Sequence, residues 1–330
     1  MIAQQPTVAS PNQRTSINAM QTTQRAVLIH AYGDATAAQL ATIDRPTAGP
    51  GQVLVQVGAA GVNAIDWKVR SGYVRDAFPL QLPAVLGAEL AGVVVAVGPG
   101  TTRFQVGDRV MGAVGGLGAY AEYVALDAAR LAPTPEGLDD VHAAAIPVAA
   151  VTAWQSLRHA GPVQPGQRIL IHGAAGGVGS YAVQFAKRVG AQVFATASAT
   201  QLDYVRSLGA DHVIDYRAQR FEDIATHIDL ILDYVGNSVL AASWQVLAPS
   251  GAIVSTAAPD ITAHTPAGHR GLWFTSQPDA ALLQRLALEV AQGTLQARLG
   301  EVVSVANLPL AIERICTTAH SGKVVADFSR

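Results

Sequence analysis

The hydrophobic pattern of this chain changes character near residue 140. Before that point, short β-branched runs stand between Gly and Pro: RAVLIHAYG, QVLVQVGAAGVN, ELAGVVVAVGPG, GDRVMGAV and AYAEYVAL. Such punctuation predicts a small barrel. The segment PEGLDDVHAAAIPVAAVTAWQSLRHAG is Ala-rich and helix-compatible apart from Pro147. Strand-like runs then alternate with helical stretches: RILIHG, QVFATAS, HVIDY, DLILDYVG, AIVSTAA and LWFTSQ, with helices expected between the first five. This alternation predicts a doubly wound parallel sheet whose ligand lies at the strand carboxyl ends. DAALLQRLALEVAQG is an amphipathic helix closed by Gly293. EVVSV, a helix around LPLAIERICTTAH and the strand KVVADF finish the chain. These last strands have no place in the parallel sheet and are expected to return to the first domain.

Within the alternating half, ILIHGAAGGVGS (169–180) reads as a buried strand, a glycine turn and a helix start, with Gly190 as the helix stop. Followed by AQVFATAS, it makes one βαβ unit. In the dinucleotide fingerprint, glycines allow a tight turn and close pyrophosphate approach at a helix N-terminus. The G-x-G-x-x-G register falls on Ala174, Gly176 and Gly179, so the first glycine is alanine. That is harmless if φ at Ala174 stays negative.

Composition narrows the picture. With 330 residues, 50% hydrophobic and 14% charged, the chain can bury a large core over two domains. A net charge of −2 points to neither nucleic acid nor an acidic membrane surface. One cysteine, Cys316, makes no internal disulfide. A cytoplasmic location is expected. Residues 1–24 are rich in Gln, Thr, Ser and Asn and read as a disordered tail.

Taken in order, several stretches resemble the medium-chain dehydrogenase/reductase superfamily, most closely its zinc-independent quinone oxidoreductase (zeta-crystallin-like) branch. They are GVNAIDWKVRSGY (61–73), LPAVLGAELAGVVVAVGPGTTRFQVGDRV (82–110), GAYAEYVA (118–125), AAIPVAAVTAWQSL (144–157), GQRILIHGAAGGVGSYAVQFAK (166–187), SLGADHVIDY (207–216) and LDYVG (232–236). The resemblance implies an α/β chain: a GroES-like β-barrel catalytic domain over 25–142 and 276–330, and a Rossmann dinucleotide-binding domain over 143–275. It also implies a cleft between them, NADPH as cofactor with NADH as the alternative, a small electrophilic substrate and a homodimer. Zinc alcohol dehydrogenases of the superfamily place Cys at Asn63 and His at Ala88, so no metal site is expected. Alcohol oxidation is then disfavoured.

By the same resemblance, Thr152 contacts the nicotinamide portion, and Gly176, Gly177 and Val178 form the dinucleotide turn. Val235 passes beside the cofactor, the block around Phe274 lies near the carboxamide, and Tyr216 lies near the adenosine 2′-phosphate. At the end of the second strand, ATASATQ (195–201) carries no carboxylate to repel that phosphate, and Ser198 and Thr200 can donate to it. No Arg or Lys stands there to pair with it. Asn63 and Asp66 match the family's cleft motif, Asn63 orienting a substrate oxygen and Asp66 shaping the nicotinamide pocket; capping by Asx side chains is the structural alternative. Lys68 and Tyr73 are candidate proton donors or oxyanion stabilisers. The expected function is NADPH-dependent reduction of quinones or enones. The alternative is an NADPH-binding sensor or structural protein with little catalysis. An enoyl-thioester reductase would need a site for a carrier or coenzyme phosphate, and no basic patch for one stands out.

Overall fold

A computed structural model describes residues 22–317 and 321–330. The expected tail lies outside the described residues as far as residue 21, but its last residues are ordered. The first strand, Thr23–Ile29, starts inside the expected tail and pairs antiparallel with Ala38–Asp44. Polar partners explain why this hydrophilic start is held. Gln24 is buried, its Oε1 accepting the Tyr123 N–H at 2.6 Å. Arg25 closes on Glu122 through both its backbone N–H and its guanidinium.

A seven-stranded sheet is built mostly from the front of the chain. Its long central strand, Gln52–Val62, pairs antiparallel with Glu89–Val97, Tyr123–Asp127 and Lys323–Asp327. Lys323–Asp327 in turn carries Leu299–Ser304. The two terminal strands therefore do return to the first sheet. The inward faces are filled by small β-branched side chains and Ala, with Tyr120 the largest fully buried residue.

The second sheet is wholly parallel and has six strands, in the spatial order His212–Asp215, Gln192–Ala197, Arg168–His172, Ile228–Asp233, Leu247–Ser255, Arg270–Trp273. The chain reverses direction of travel on either side of Arg168–His172. A crevice therefore opens at that strand's carboxyl end, the switch point of a doubly wound sheet. One expected helix is missing. Between His212–Asp215 and Ile228–Asp233 there is only the 3₁₀ turn Phe221–Asp223. YRAQRFEDIATH lacks an apolar face at helical spacing; instead Phe221 and Ala225 plug the sheet face singly.

Pro147 splits the Ala-rich segment into Asp140–Ala143 and Pro147–His159. At the first helical position its missing N–H forfeits no hydrogen bond. The longer helix lies between the two sheets, and its alanines let them approach. Ala59, Ala91 and Met111 of one half share a continuous core with Ile169, Val183 and Leu232 of the other.

Candidate functional site

The dinucleotide turn begins where Arg168–His172 ends. Gly173 has φ 72°, which only glycine adopts readily. Ala174 is not among the positive-φ residues and is fully buried, so the alanine in the first fingerprint position is accommodated. A Cβ at Gly179 would land on the backbone of Gly173 and Ala174, so a glycine is needed for the helix to pack this closely. Gly176 caps the helix Gly177–Arg188, whose first N–H groups, from Gly177 and Val178, point out of its N-terminus. A phosphate is favoured there by those donors and by the helix dipole. At the strand's end, His172 is buried between Thr196 Oγ1 (3.2 Å) and Ser243 Oγ (3.0 Å). Burial pushes its pKa down to about 4, so it is a neutral structural imidazole.

The residues expected on the adenosine side lie at the end of Gln192–Ala197 and on the strand edge beside it. Ser198 Oγ lies 3.4 Å from Thr200 Oγ1. The Tyr216 N–H bonds Ala197 O at 3.2 Å, which brings its half-exposed ring to the same sheet edge. On the nicotinamide side, Thr152 sits in the middle of Pro147–His159 and is 7% exposed. Val235 is exposed and leans over the turn, its Cγ2 being the nearest atom to a Cβ built on Gly173. The loop bearing Val235 is held by Asp233, which accepts the Val235 and Gly236 N–H groups, each at 2.9 Å, and the Ser255 hydroxyl at 2.6 Å. Phe274 turns its ring into the core, 5.0 Å from that of His159.

Asn63 and Asp66 lie at the start of the helix Ala64–Arg70, facing the turn from the first sheet. Their side chains belong to a buried network that sequence reasoning missed. Asn63 Nδ2 donates to Glu89 Oε1 at 2.8 Å and to Gly61 O at 3.2 Å, while its Oδ1 accepts from Lys323 Nζ. Lys323 also pairs with Glu89, whose Oε2 accepts the Val148 N–H at 2.6 Å. Both N–H bonds of the Asn63 amide are thus committed within the protein, which makes it a positioning group. Two signals were available: Glu89 opens an otherwise apolar strand, and Lys323 opens a strand with a VVA core. Gly322, beside Lys323, bonds Ala175 O at 2.9 Å, so the C-terminal strand ties this network to the dinucleotide turn.

Asp66 is fully buried. Its Oδ2 accepts the Asn63 N–H at 2.7 Å and the Tyr120 hydroxyl at 2.6 Å, so it caps the helix and anchors Tyr120. Burial outweighs these hydrogen bonds and raises its pKa to about 6. A carboxyl with a raised folded-state pKa binds its proton more tightly when folded, so stability falls as pH rises from about 4 to about 6. Asp66→Asn should remove this component. The variant should gain on the parent by up to about 3 kcal/mol between pH 4.5 and 7.5 in urea unfolding. Parallel pH profiles for the two proteins would contradict this assignment.

Lys68 projects from the same helix, half-buried, its Nζ 5.9 Å from the Trp67 ring centroid. Burial lowers its pKa, and the Asp233 carboxylate opposes that shift. Asp233 ends a strand of the parallel sheet, so the two charges belong to different halves of the molecule. Tyr73 lies further out, half-exposed, its ring 5.9 Å from that of Trp67.

Comparison with known proteins agrees with this geometry. Residues 49–136 match the family model of the alcohol dehydrogenase GroES-like domain, and residues 208–325 match that of the zinc-binding dehydrogenases. The quinone oxidoreductase from Coxiella burnetii is 31% identical, with a TM-score of 0.86 over 92% of this chain and 99% of that one. The chain belongs to the medium-chain dehydrogenase/reductase superfamily. It is an oxidoreductase with a nicotinamide-binding domain, and it resembles superfamily members of two kinds. Beside the quinone oxidoreductase stands the CurK enoyl reductase, 26% identical, with a TM-score of 0.80 over 93% of this chain and 99% of that one. A mycocerosic acid synthase-like polyketide synthase of Mycobacterium tuberculosis is 33% identical over 321 residues, 91% of this chain. The chain spans only 15% of that relative's length.

Zinc-dependent members of the superfamily raise the question of a metal. Of the two positions where they carry ligands, Ala88 has no donor atom, and the amide of Asn63 is filled by Glu89, Gly61 and the Lys323 cation. Among the described residues, no group of three His, Cys, Asp or Glu side chains is placed to hold a metal ion. This donor set does not fit zinc. No helix among the described residues is long and apolar enough to cross a membrane.

Proposed function

We propose that this superfamily member is a zinc-independent, NADPH-dependent reductase of quinones or of C=C bonds conjugated to a carbonyl. The observation that carries this reading is the half-buried ammonium of Lys68, which feels the Asp233 carboxylate at the end of a parallel-sheet strand. When bound, the nicotinamide supplies a hydride. The protein positions both reactants and stabilises charge. The Gly177 helix N-terminus would hold the pyrophosphate, and Thr152 and Val235 would contact the nicotinamide. The Asn63–Glu89–Lys323 network fixes the start of the helix that carries Lys68. Negative charge developing on the substrate oxygen is met by the Lys68 ammonium, which then supplies a proton. Asp233 opposes the lowering of the Lys68 pKa by burial. The NADP preference rests on ATASATQ, which places no carboxylate against the 2′-phosphate. A cytoplasmic homodimer belongs to the same proposal.

The test is NADPH oxidation against quinones, enones, enoyl thioesters, aldehydes and alcohols. Turnover of quinones or enones is expected. Oxidation of primary alcohols by a zinc-loaded enzyme would overturn the reading, and tight NADPH binding without turnover of any electrophile would favour a sensor. Similarity to an enoyl reductase and to polyketide synthases supports a narrower reading, in which the conjugated carbonyl is a thioester. Preferred turnover of the enoyl thioester in the same panel would select it.

A further inference from the structure

The loop after the second parallel strand offers hydroxyls but no charge, because Ser198, Thr200 and Gln201 are all neutral. A phosphate monoester bound by neutral donors alone is held weakly, since charge-assisted hydrogen bonds are about twice as strong. The fold brings a cation to the helix that follows this loop from far along the chain. Arg298 precedes the strand Leu299–Ser304, and its carbonyl accepts the Lys323 N–H at 2.8 Å. The neighbouring Gly322 bonds Ala175 inside the dinucleotide turn and has φ 71°. A Cβ on Gly322 would press on the Arg298 backbone and its Cγ, so this glycine lets the arginine lie against the turn. At its other end, the Arg298 guanidinium carbon sits 4.1 Å from the Tyr204 ring centroid. Tyr204 belongs to the helix Leu202–Ser207, which follows Thr200 and Gln201 directly. The side chain thus bridges the phosphate turn and the first helical turn beyond the ribose loop. In a dinucleotide fold the 2′-phosphate lies by the loop after the second strand, the loop that the Tyr204 helix follows. The nearest acid on that helix, Asp203, is engaged by Arg206 at 2.6 Å, and no carboxylate among the described residues pairs with Arg298.

We propose that Arg298 is the specificity-determining cation for NADPH, its guanidinium binding the 2′-phosphate that Ser198 and Thr200 also contact. The proposal rests on the NADPH reading above. Tyr204 acts as a platform that holds the guanidinium flat and pre-organised. A second arginine provides an internal comparison: Arg217, which follows Tyr216, has its guanidinium carbon 5.7 Å from the Tyr216 ring centroid.

The experiment titrates NADPH and NADH into the parent, Arg298→Gln, Arg298→Lys and Arg217→Gln, at low and high salt. The parent should prefer NADPH. Arg298→Gln should weaken NADPH about ten- to a hundredfold while leaving NADH unchanged. The salt dependence of NADPH binding should flatten, and Arg298→Lys should recover part of the loss. Undiminished NADPH affinity in Arg298→Gln would overturn the proposal, as would transfer of the loss to Arg217→Gln. An equal loss of NADH would mark a structural role and overturn it too. Equal affinities of the parent for both cofactors would overturn the NADPH reading itself, an outcome distinct from a parent that discriminates without Arg298.

Discussion

Replacing Lys323 by methionine should lower the unfolding free energy by about 3–5 kcal/mol, because it strands a buried carboxylate. Lys323 is 5% exposed and Glu89 is 0% exposed. Glu89 would keep only the Val148 N–H and the Asn63 amide as partners, and Asn63 would lose the donor to its Oδ1. The damage should reach the nucleotide side, since Lys323 follows the glycine bonded to Ala175. Urea unfolding monitored by circular dichroism measures the first effect, and cofactor titration measures the second. The double variant Lys323→Met/Glu89→Leu should recover much of the loss, because an apolar pair of similar volume replaces the ion pair. A single variant within about 1 kcal/mol of the parent would mean that water or rearrangement already neutralises Glu89. The cluster would then be incidental to the fold.

Lys68→Met should lower kcat about a hundredfold on the best substrate of the panel, with little change in KM. The reasoning is differential. The ammonium meets little charge in the ground state and a full developing charge in the transition state, so its loss falls on kcat. Methionine keeps the stem that packs on Trp67, so folding should be spared. Because burial lowers the Lys68 pKa, parent activity should fall as pH rises through that lowered value. That alkaline limb should disappear in the variant, and Lys68→Arg should restore part of the rate. A kcat within about threefold of the parent, with an unaltered pH profile, would remove Lys68 from the chemistry and leave water or a backbone N–H as the donor.

Much of the architecture was legible locally. Gly-punctuated β-branched runs gave way to strand–helix alternation, and both sheets formed where that pattern changed. The dinucleotide turn was readable down to the substituted first glycine, because Gly173 and Gly179 answer to backbone sterics that act over a few residues. The missing helix after His212–Asp215 shows the limit of alternation as a rule. Regular βα order implies a helix in each crossover, but YRAQRFEDIATH has too few apolar residues at helical spacing to bury one face.

The sequence by itself determined most of the elements, the sheet types, the place of the glycine turn and the neutrality of the loop at residues 198–201. These follow from periodicity, glycine conformation and side-chain charge, all of which are local. Only the tertiary structure decided how the polar side chains are spent. Asn63 and Asp66 were visible as a motif, yet Lys323, Glu89 and Tyr120 claim them from distant strands, turning one into a positioning group and the other into a buried cap. In the same way Arg298, remote in sequence, meets the Tyr204 ring, and a Cβ at Gly322 would press on it. Hydrogen bonds and ion pairs saturate according to distance in space, and chain spacing does not reveal which partners a folded sheet will bring within three ångströms.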